Sequence, residues 1–348
     1  MIKCSTDRKK TGKKIRMIAL DLDGTLLTSD KVLTDRTKDV LRRAIEQGIV
    51  VLPATGRPLS GIPKEVMEFP GVRYAVTANG ARIVDSLEGR ILYEDQVSYE
   101  NGKKVLEICG KYDALLEVYY NGVGYTEESA LNRLGDFVPR VPMAAYILNT
   151  RRPVENVTEL FNRKKLPTDK VQAIFSSEED CKKAWKEVED HILDIEITGA
   201  LCNNIEVNAK GVNKGKGILM LGKILGIERE EIMAFGDGRN DTAMLQEAGL
   251  GIAMSNAVEE AKAAADEVTL SNDEEGVAVA VLRVVEQGET AHVHQAGAVG
   301  GGHGQRGVDI VHGNAHIAGK QVAGADGDDA QRMAGAGDGA RHRAHRAV

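Results

Sequence analysis

Histidine is almost missing from the first 287 residues of this 348-residue chain: only His191 falls there, and the other seven lie beyond Gly288. His191 ends a helical stretch and reads as a capping residue without catalytic weight. Cysteine is also sparse, and Cys4, Cys109, Cys181 and Cys202 form no C-x-x-C pair. That argues against a zinc site or a disulfide framework and leaves reduced thiols as the expectation. No stretch approaches the roughly 20 apolar residues of a membrane span. The start has no apolar signal core, so a cytoplasmic protein is expected. Aromatic residues make up 4% and the formal net charge is −7, with no aromatic-rich basic face for nucleic acid. Lys9, Lys10, Lys13 and Lys14 form a short basic leader, expected to be a solvated tail.

Hydrophobic residues, at 42%, suffice for the cores of about two domains at this length. The first strong signal is Arg16 to Thr25, an apolar run that stops at Asp21-Leu22-Asp23-Gly24-Thr25. It reads as a buried strand ending in a glycine turn, with two carboxylates at its tip. Carboxylates there need a cation or hydrogen-bond donors to meet them. Taken alone, the stretch also fits an Asx turn. An EF-hand loop is excluded, because Leu26 and Leu27 stand where further ligands would be needed.

Thr34 is a plausible N-cap for a helix carrying Val40, Leu41, Ala44 and Ile45 up to Gly48. An apolar run at 49–52 leads into Thr55-Gly56-Arg57-Pro58, a third strand at 74–77 ends at Ala78-Asn79-Gly80, and a hairpin follows at 82–93. This is the grammar of a parallel sheet with right-handed crossovers. From about Ser98 the pattern changes: helices at 101–111, 154–164 and 178–191 alternate with strand-like 116–120, 143–148 and 171–175. Sheet grammar resumes after about Leu201, with strands at 205–207, 232–235, 251–254 and 267–270 alternating with helices. The expected fold is therefore α/β, a Rossmann-like parallel-sheet core at 15–97 and 201–287 with an inserted α+β cap at 98–200. Flexible junctions are expected near 95–98 and 199–202, where the grammar switches. From Gly288 composition collapses to Gly, Ala, His, Val, Asp and Arg, so 288–348 is expected to be a disordered tail, as is the leader at 1–14. The G-x-G-x-x-G formed by 302–307 has no strand before it or helix after it, so it is not read as a nucleotide site.

Four polar clusters sit at strand-to-helix transitions: Asp21 with Asp23, Thr55-Gly56-Arg57, Lys214, and Asp237 with Asp241. In a parallel sheet the carboxyl ends of the strands form the ligand crevice. Oxygen ligands of this kind favour Mg²⁺, and a hydroxyl with a lysine suits phosphate oxygens. Asp21 is then the candidate nucleophile, Asp23 the general acid and base, and Lys214 the neutralising cation. Thr55 and the Gly56 amide would hold the phosphate.

D-L-D-G-T at 21–25, T-G-R-P at 55–58, G-V-N-K-G at 211–215 and G-D-G-R-N-D at 236–241 resemble the four motifs of the haloacid dehalogenase superfamily. They resemble most closely its Cof-type phosphatases, whose cap is inserted between the second and third motifs. The resemblance implies a Mg²⁺-dependent phosphatase acting on small phosphorylated metabolites, sugar phosphates foremost, through an aspartyl phosphate. It implies metal ligation by the Asp21 carboxylate, the Asp23 carbonyl and Asp237, with Asp241 supporting through water. Thr55, Gly56, Arg57, Lys214 and Asn240 would line the phosphate. A phosphohexomutase-like transferase and a phosphometabolite-binding regulator are the alternatives. Ser255 stands where the family often has glycine.

Overall fold

The computed structural model describes residues 14–139, 141–199 and 201–297. Of the leader expected at 1–14 and the tail expected at 288–348, residues 1–13 and 298–348 lie outside the described residues. The strands are β1 (Met17–Leu20), β2 (Val50–Pro53), β3 (Tyr74–Thr77), β4 (Arg82–Asp85), β5 (Arg90–Glu94), β6 (Ala114–Tyr120) and β7 (Val123–Glu127). They continue as β8 (Arg151–Val154), β9 (Lys170–Phe175), β10 (Ile195–Thr198), β11 (Asn204–Ala209), β12 (Ile232–Gly236), β13 (Leu250–Ala253) and β14 (Glu267–Val268).

The core is a parallel sheet in the order β14-β13-β12-β1-β2. Every residue of β1 is buried, which is why Met17–Leu20 is apolar throughout where a half-exposed strand would alternate. Helix Asp35–Glu46 starts at Thr34, whose hydroxyl accepts from the Thr37 amide, and buries Val40, Leu41 and Ala44 on the sheet. The sheet β3-β4-β5 joins the core through a parallel bridge from Ala54 to Val76. The last helix, Gly276–Gly297, continues past the composition break at Gly288.

The cap is a six-stranded sheet, β10-β11-β9-β6-β7-β8. Its two faces differ. Val118, Val171 and Ile205 point to a face covered by helices Tyr99–Cys109, Val157–Lys164 and Glu178–His191. Glu117, Tyr119, Lys170, Gln172, Glu206 and Asn208 alternate onto the other face, and all six are buried.

Two sequence expectations change here. Residues 143–148, expected as a strand, lie within helix Val141–Thr150. Pro142 in its first turn loses no helical bond, and β7 pairs with β8 in parallel, a pairing that requires a crossover segment. β11, assigned from sequence to the returning core, pairs antiparallel with β9 and β10 inside the cap sheet. The cap therefore ends near Ala209, and the second junction falls at 210–213 instead of 199–202. β7 was also unforeseen, although Asn121-Gly122 before it, both at positive φ, is a hairpin turn signal.

Candidate active site

Parallel register brings the clusters together. Leu20 pairs with Pro53 of β2 and with Phe235 of β12, so Asp21, Thr55 and Asp237 leave the sheet at one edge. Lys214 arrives from the first turn of helix Lys214–Leu225. That helix packs closely on the turn after β3, where Gly80 has φ +99° and a Cβ would meet the Asn213 carbonyl at 2.2 Å.

Lys214 is 0% exposed, and a cation in a first helical turn opposes the helix dipole. Carboxylates compensate: its Nζ donates to Asp21 Oδ1 at 2.5 Å and to Asp241 Oδ1 at 2.6 Å. Burial works against the ammonium, yet these two neighbours keep it charged and raise its pKa. Asp241 Oδ2 accepts from the Asp237 and Gly238 amides at 3.0 and 2.8 Å, which fixes the loop after β12. The Thr25 hydroxyl donates to Asp237 Oδ1 at 2.7 Å. Gly24, at φ +83°, leaves room for that carboxylate, because a Cβ would meet Asp237 Oδ2 at 2.3 Å.

Asp21, Asp237 and Asp241 place ligand oxygens within 4.8 Å of one another. Burial raises Asp21 well above the usual carboxylate range, Lys214 opposes this, and Asp241, Asp237 and Asp23 add to the rise. Burial and the charge of Asp241 push Asp237 up to about 7. Three acids facing one lysine leave an excess of negative charge, and an all-oxygen donor set with that excess fits a hard divalent cation.

Asp23 differs. Burial alone would raise it, but hydrogen bonds and charge from Arg57, helped by Lys31, bring it down to about 2. Arg57 Nε and Nη2 donate to its two oxygens at 2.7 and 2.6 Å, and Lys31 Nζ donates at 2.6 Å. Arg57 was expected against the phosphate. Its guanidinium is instead engaged by Asp23, by the Gly61 carbonyl at 2.8 Å and by the Tyr146 ring 4.0 Å away. Thr55 is buried, and its Oγ1 accepts from the Arg57 amide at 3.2 Å. Asn240 donates to Asn79 Oδ1 at 3.3 Å, and Lys170 Nζ to the Gly56 carbonyl at 2.8 Å. Every candidate from the sequence thus lies on this rim or directly against it.

Lys31, Asn79, Tyr146 and Lys170 were missed. Asn79 follows a strand that ends at the same edge, which is a readable signal; Tyr146 was hidden by the misread helix. Ser255, the departure from the family pattern, is exposed and does not have positive φ, so glycine is not required there.

A parallel sheet whose carboxyl edge gathers acids, a hydroxyl and a buried lysine beneath a cap is the build of a phosphoryl-transfer hydrolase. The family model for haloacid dehalogenase-like hydrolases matches residues 18–281, and the chain belongs to that family, among the Cof-type, subclass IIB phosphatases. It is 31% identical over 282 residues to Phosphatase YwpJ of Bacillus subtilis, covering 76% of this chain and 98% of that protein. It is 29% identical over 280 residues to the B. subtilis 5-amino-6-(5-phospho-D-ribitylamino)uracil phosphatase YcsE, covering 77% and 94%. Among solved structures, a haloacid dehalogenase-like hydrolase from B. subtilis matches with a TM-score of 0.67 at 31% identity, covering 77% of this chain and 99% of that one. The subclass IIB sugar phosphatase BT4131 matches with a TM-score of 0.66 at 27% identity, covering 77% and 98%. The protein is a phosphatase, and no helix among the described residues is long and apolar enough to cross a membrane.

Proposed function

We propose that this rim hydrolyses phosphate monoesters of small polyhydroxylated metabolites, sugar phosphates foremost, with Mg²⁺ and through an aspartyl phosphate on Asp21. The observation that carries the reading is the 2.5 Å contact between the buried Lys214 ammonium and Asp21, with Asp237 and Asp241 crowded beside it. An Asp21 oxygen attacks phosphorus, and the bond from phosphorus to the leaving oxygen breaks. Asp23 gives that oxygen its proton. Water then attacks the phosphoryl group, Asp23 takes the water's proton, and the bond from Asp21 to phosphorus breaks to release phosphate. Such acid and base help is worth about 10²- to 10⁴-fold.

Lys214 lies where it neutralises charge on the nucleophile and the transferring group. Asp21, Asp237 and the Asp23 carbonyl would hold the metal, with Asp241 behind them. Bound there, Mg²⁺ would supply further charge neutralisation on the phosphoryl oxygens. Thr55 and the Gly56 amide would hold the phosphate, with Asn240 at its margin. The ion pair with Arg57 and Lys31 keeps Asp23 ionised, so substrate entry has to draw these cations off before Asp23 acts as an acid. Relatives named for a ribityl phosphate and for sugar phosphates support a hydroxylated leaving group.

The test is phosphate release from a broad panel of monoesters, with Mg²⁺ and with chelator. Metal-dependent release, best from hydroxylated substrates, is expected. Release indifferent to chelator, or none from any monoester, would overturn the reading.

A further inference from the structure

The Asp23 carboxylate is held by a chain of contacts that starts in the cap. Arg57 Nε and Nη2 donate to its two oxygens at 2.7 and 2.6 Å, a paired geometry that fixes the plane of the carboxylate as well as its place. Arginine has several rotatable bonds, so its fork points only where its surroundings hold it. Two further contacts do so here: Nη1 donates to the Gly61 carbonyl at 2.8 Å, and the guanidinium carbon lies 4.0 Å from the centre of the Tyr146 ring. Arg57 and Gly61 belong to the core, whereas Tyr146 lies on the cap helix Val141–Thr150.

Tyr146 is fixed in turn by the cap. The Arg151 guanidinium stands 5.0 Å from the same ring, and its Nη1 donates to the Tyr146 hydroxyl at 3.0 Å. Arg151 Nε is anchored on the buried Glu117 at 2.6 Å. The ring therefore lies within cation–π reach of one guanidinium from the core and one from the cap. The loop that carries Arg57 also leans on the cap. A Cβ on Gly61 would meet the Tyr146 hydroxyl at 2.6 Å, the Ser60 amide donates to the Gly122 carbonyl at 2.9 Å, and Lys170 Nζ donates to the Gly56 carbonyl at 2.8 Å.

We infer that Tyr146 is a positioning residue for the acid step: it acts through Arg57, whose fork sets the direction in which Asp23 meets the leaving oxygen. The inference rests on the phosphatase reading. In the step it serves, Asp23 gives its proton to the leaving oxygen as the bond from that oxygen to phosphorus breaks, and Asp23 is left as a carboxylate. When substrate draws Arg57 off Asp23, the ring and the Gly61 carbonyl keep the guanidinium beside it, placed to meet the carboxylate again once the proton has gone. The cap thus aligns proton delivery without supplying the proton.

The consequence is selective, because an alkoxide needs that proton to leave and the acetate of acetyl phosphate does not. Full-length wild type, Tyr146→Leu and Tyr146→Phe are assayed with Mg²⁺ on acetyl phosphate and on the alkyl monoester that wild type hydrolyses best in the panel above. The readout is kcat/KM, which covers the steps up to departure of the leaving group. Tyr146→Leu should lower it about tenfold for the alkyl monoester and less than about twofold for acetyl phosphate. Tyr146→Phe keeps the ring and should bring the alkyl value back to within about threefold of wild type. A purely structural loss of cap packing would depress both substrates together. Equal losses on the two substrates in Tyr146→Leu, no loss on either, or a Phe variant as poor as the Leu variant would overturn the inference alone. No release from any alkyl monoester by wild type would overturn the phosphatase reading and the inference together.

Discussion

The core rim and the polar face of the cap both bury charge, and they balance it differently. On the rim Asp21, Asp237 and Asp241 face the single ammonium of Lys214. On the cap face each acid has its own cation: Glu117 accepts from Arg151 at 2.6 Å, and Glu206 pairs with Lys170 at 3.0 Å. Unbalanced charge is strained until a cation and a phosphoryl group complete it, so it marks the place of chemistry. Balanced charge is satisfied in place and offers donors and acceptors for recognition.

The contrast breaks most sharply if both partners of a pair are replaced. Arg151→Met alone leaves Glu117 buried and unpaired and should cost about 3–5 kcal/mol of stability. Arg151→Met with Glu117→Leu should recover most of that in thermal unfolding, and turnover of acetyl phosphate should stay near wild type. Lys214→Met with Asp241→Leu should remain catalytically dead however well it folds, with phosphate release down at least about 10³-fold. Recovered activity in the rim double variant would erase the distinction.

A smaller effect is expected at Arg57→Ala. Loss of the guanidinium lets Asp23 rise from about 2 towards its ordinary value, so the acid limb of kcat, below which Asp23 is not ionised to take the water's proton, should move to higher pH. An unmoved limb would detach Arg57 from Asp23.

The smallest effect is a pH dependence of stability in metal-free protein. Asp237 stands at about 7 in the fold and near 3.9 unfolded, so the folded state binds more protons between those values. Stability from this group is present below about 4 and is lost as pH rises towards 7. The melting temperature in chelator should fall by several degrees across that window. Added Mg²⁺ should raise it more at pH 8 than at pH 5, and an equal rise at both would contradict the shared acidic site.

The rim was legible in the sequence because each cluster is a short contiguous loop after a strand, and parallel neighbours put such loops at one edge. Asp21 and Asp237 needed only strand order. The cap was less legible, because Glu117, Lys170 and Glu206 come from strands β6, β9 and β11 and meet through antiparallel register that composition does not encode. Residues 143–148 hold Tyr146 and Ile147, which suit a strand, but Met143, Ala144, Ala145 and Leu148 favour a helix, and the crossover between β7 and β8 takes the helical form. The surroundings of Arg57 were hidden for the same reason, since Tyr146, which stacks on its guanidinium, sits on that helix.

The claim beneath all of this is that Asp21, held by Lys214, is the atom donor to phosphorus. The most direct measurement is phosphate release by wild type and Asp21→Asn on one good monoester with Mg²⁺, with acid-quenched protein examined by mass spectrometry for phosphoryl transfer. Wild type should turn over and carry the phosphoryl group on the peptide containing Asp21, and Asp21→Asn should do neither. Equal phosphate release by the two proteins, or a phosphoryl group trapped on another residue, would contradict it.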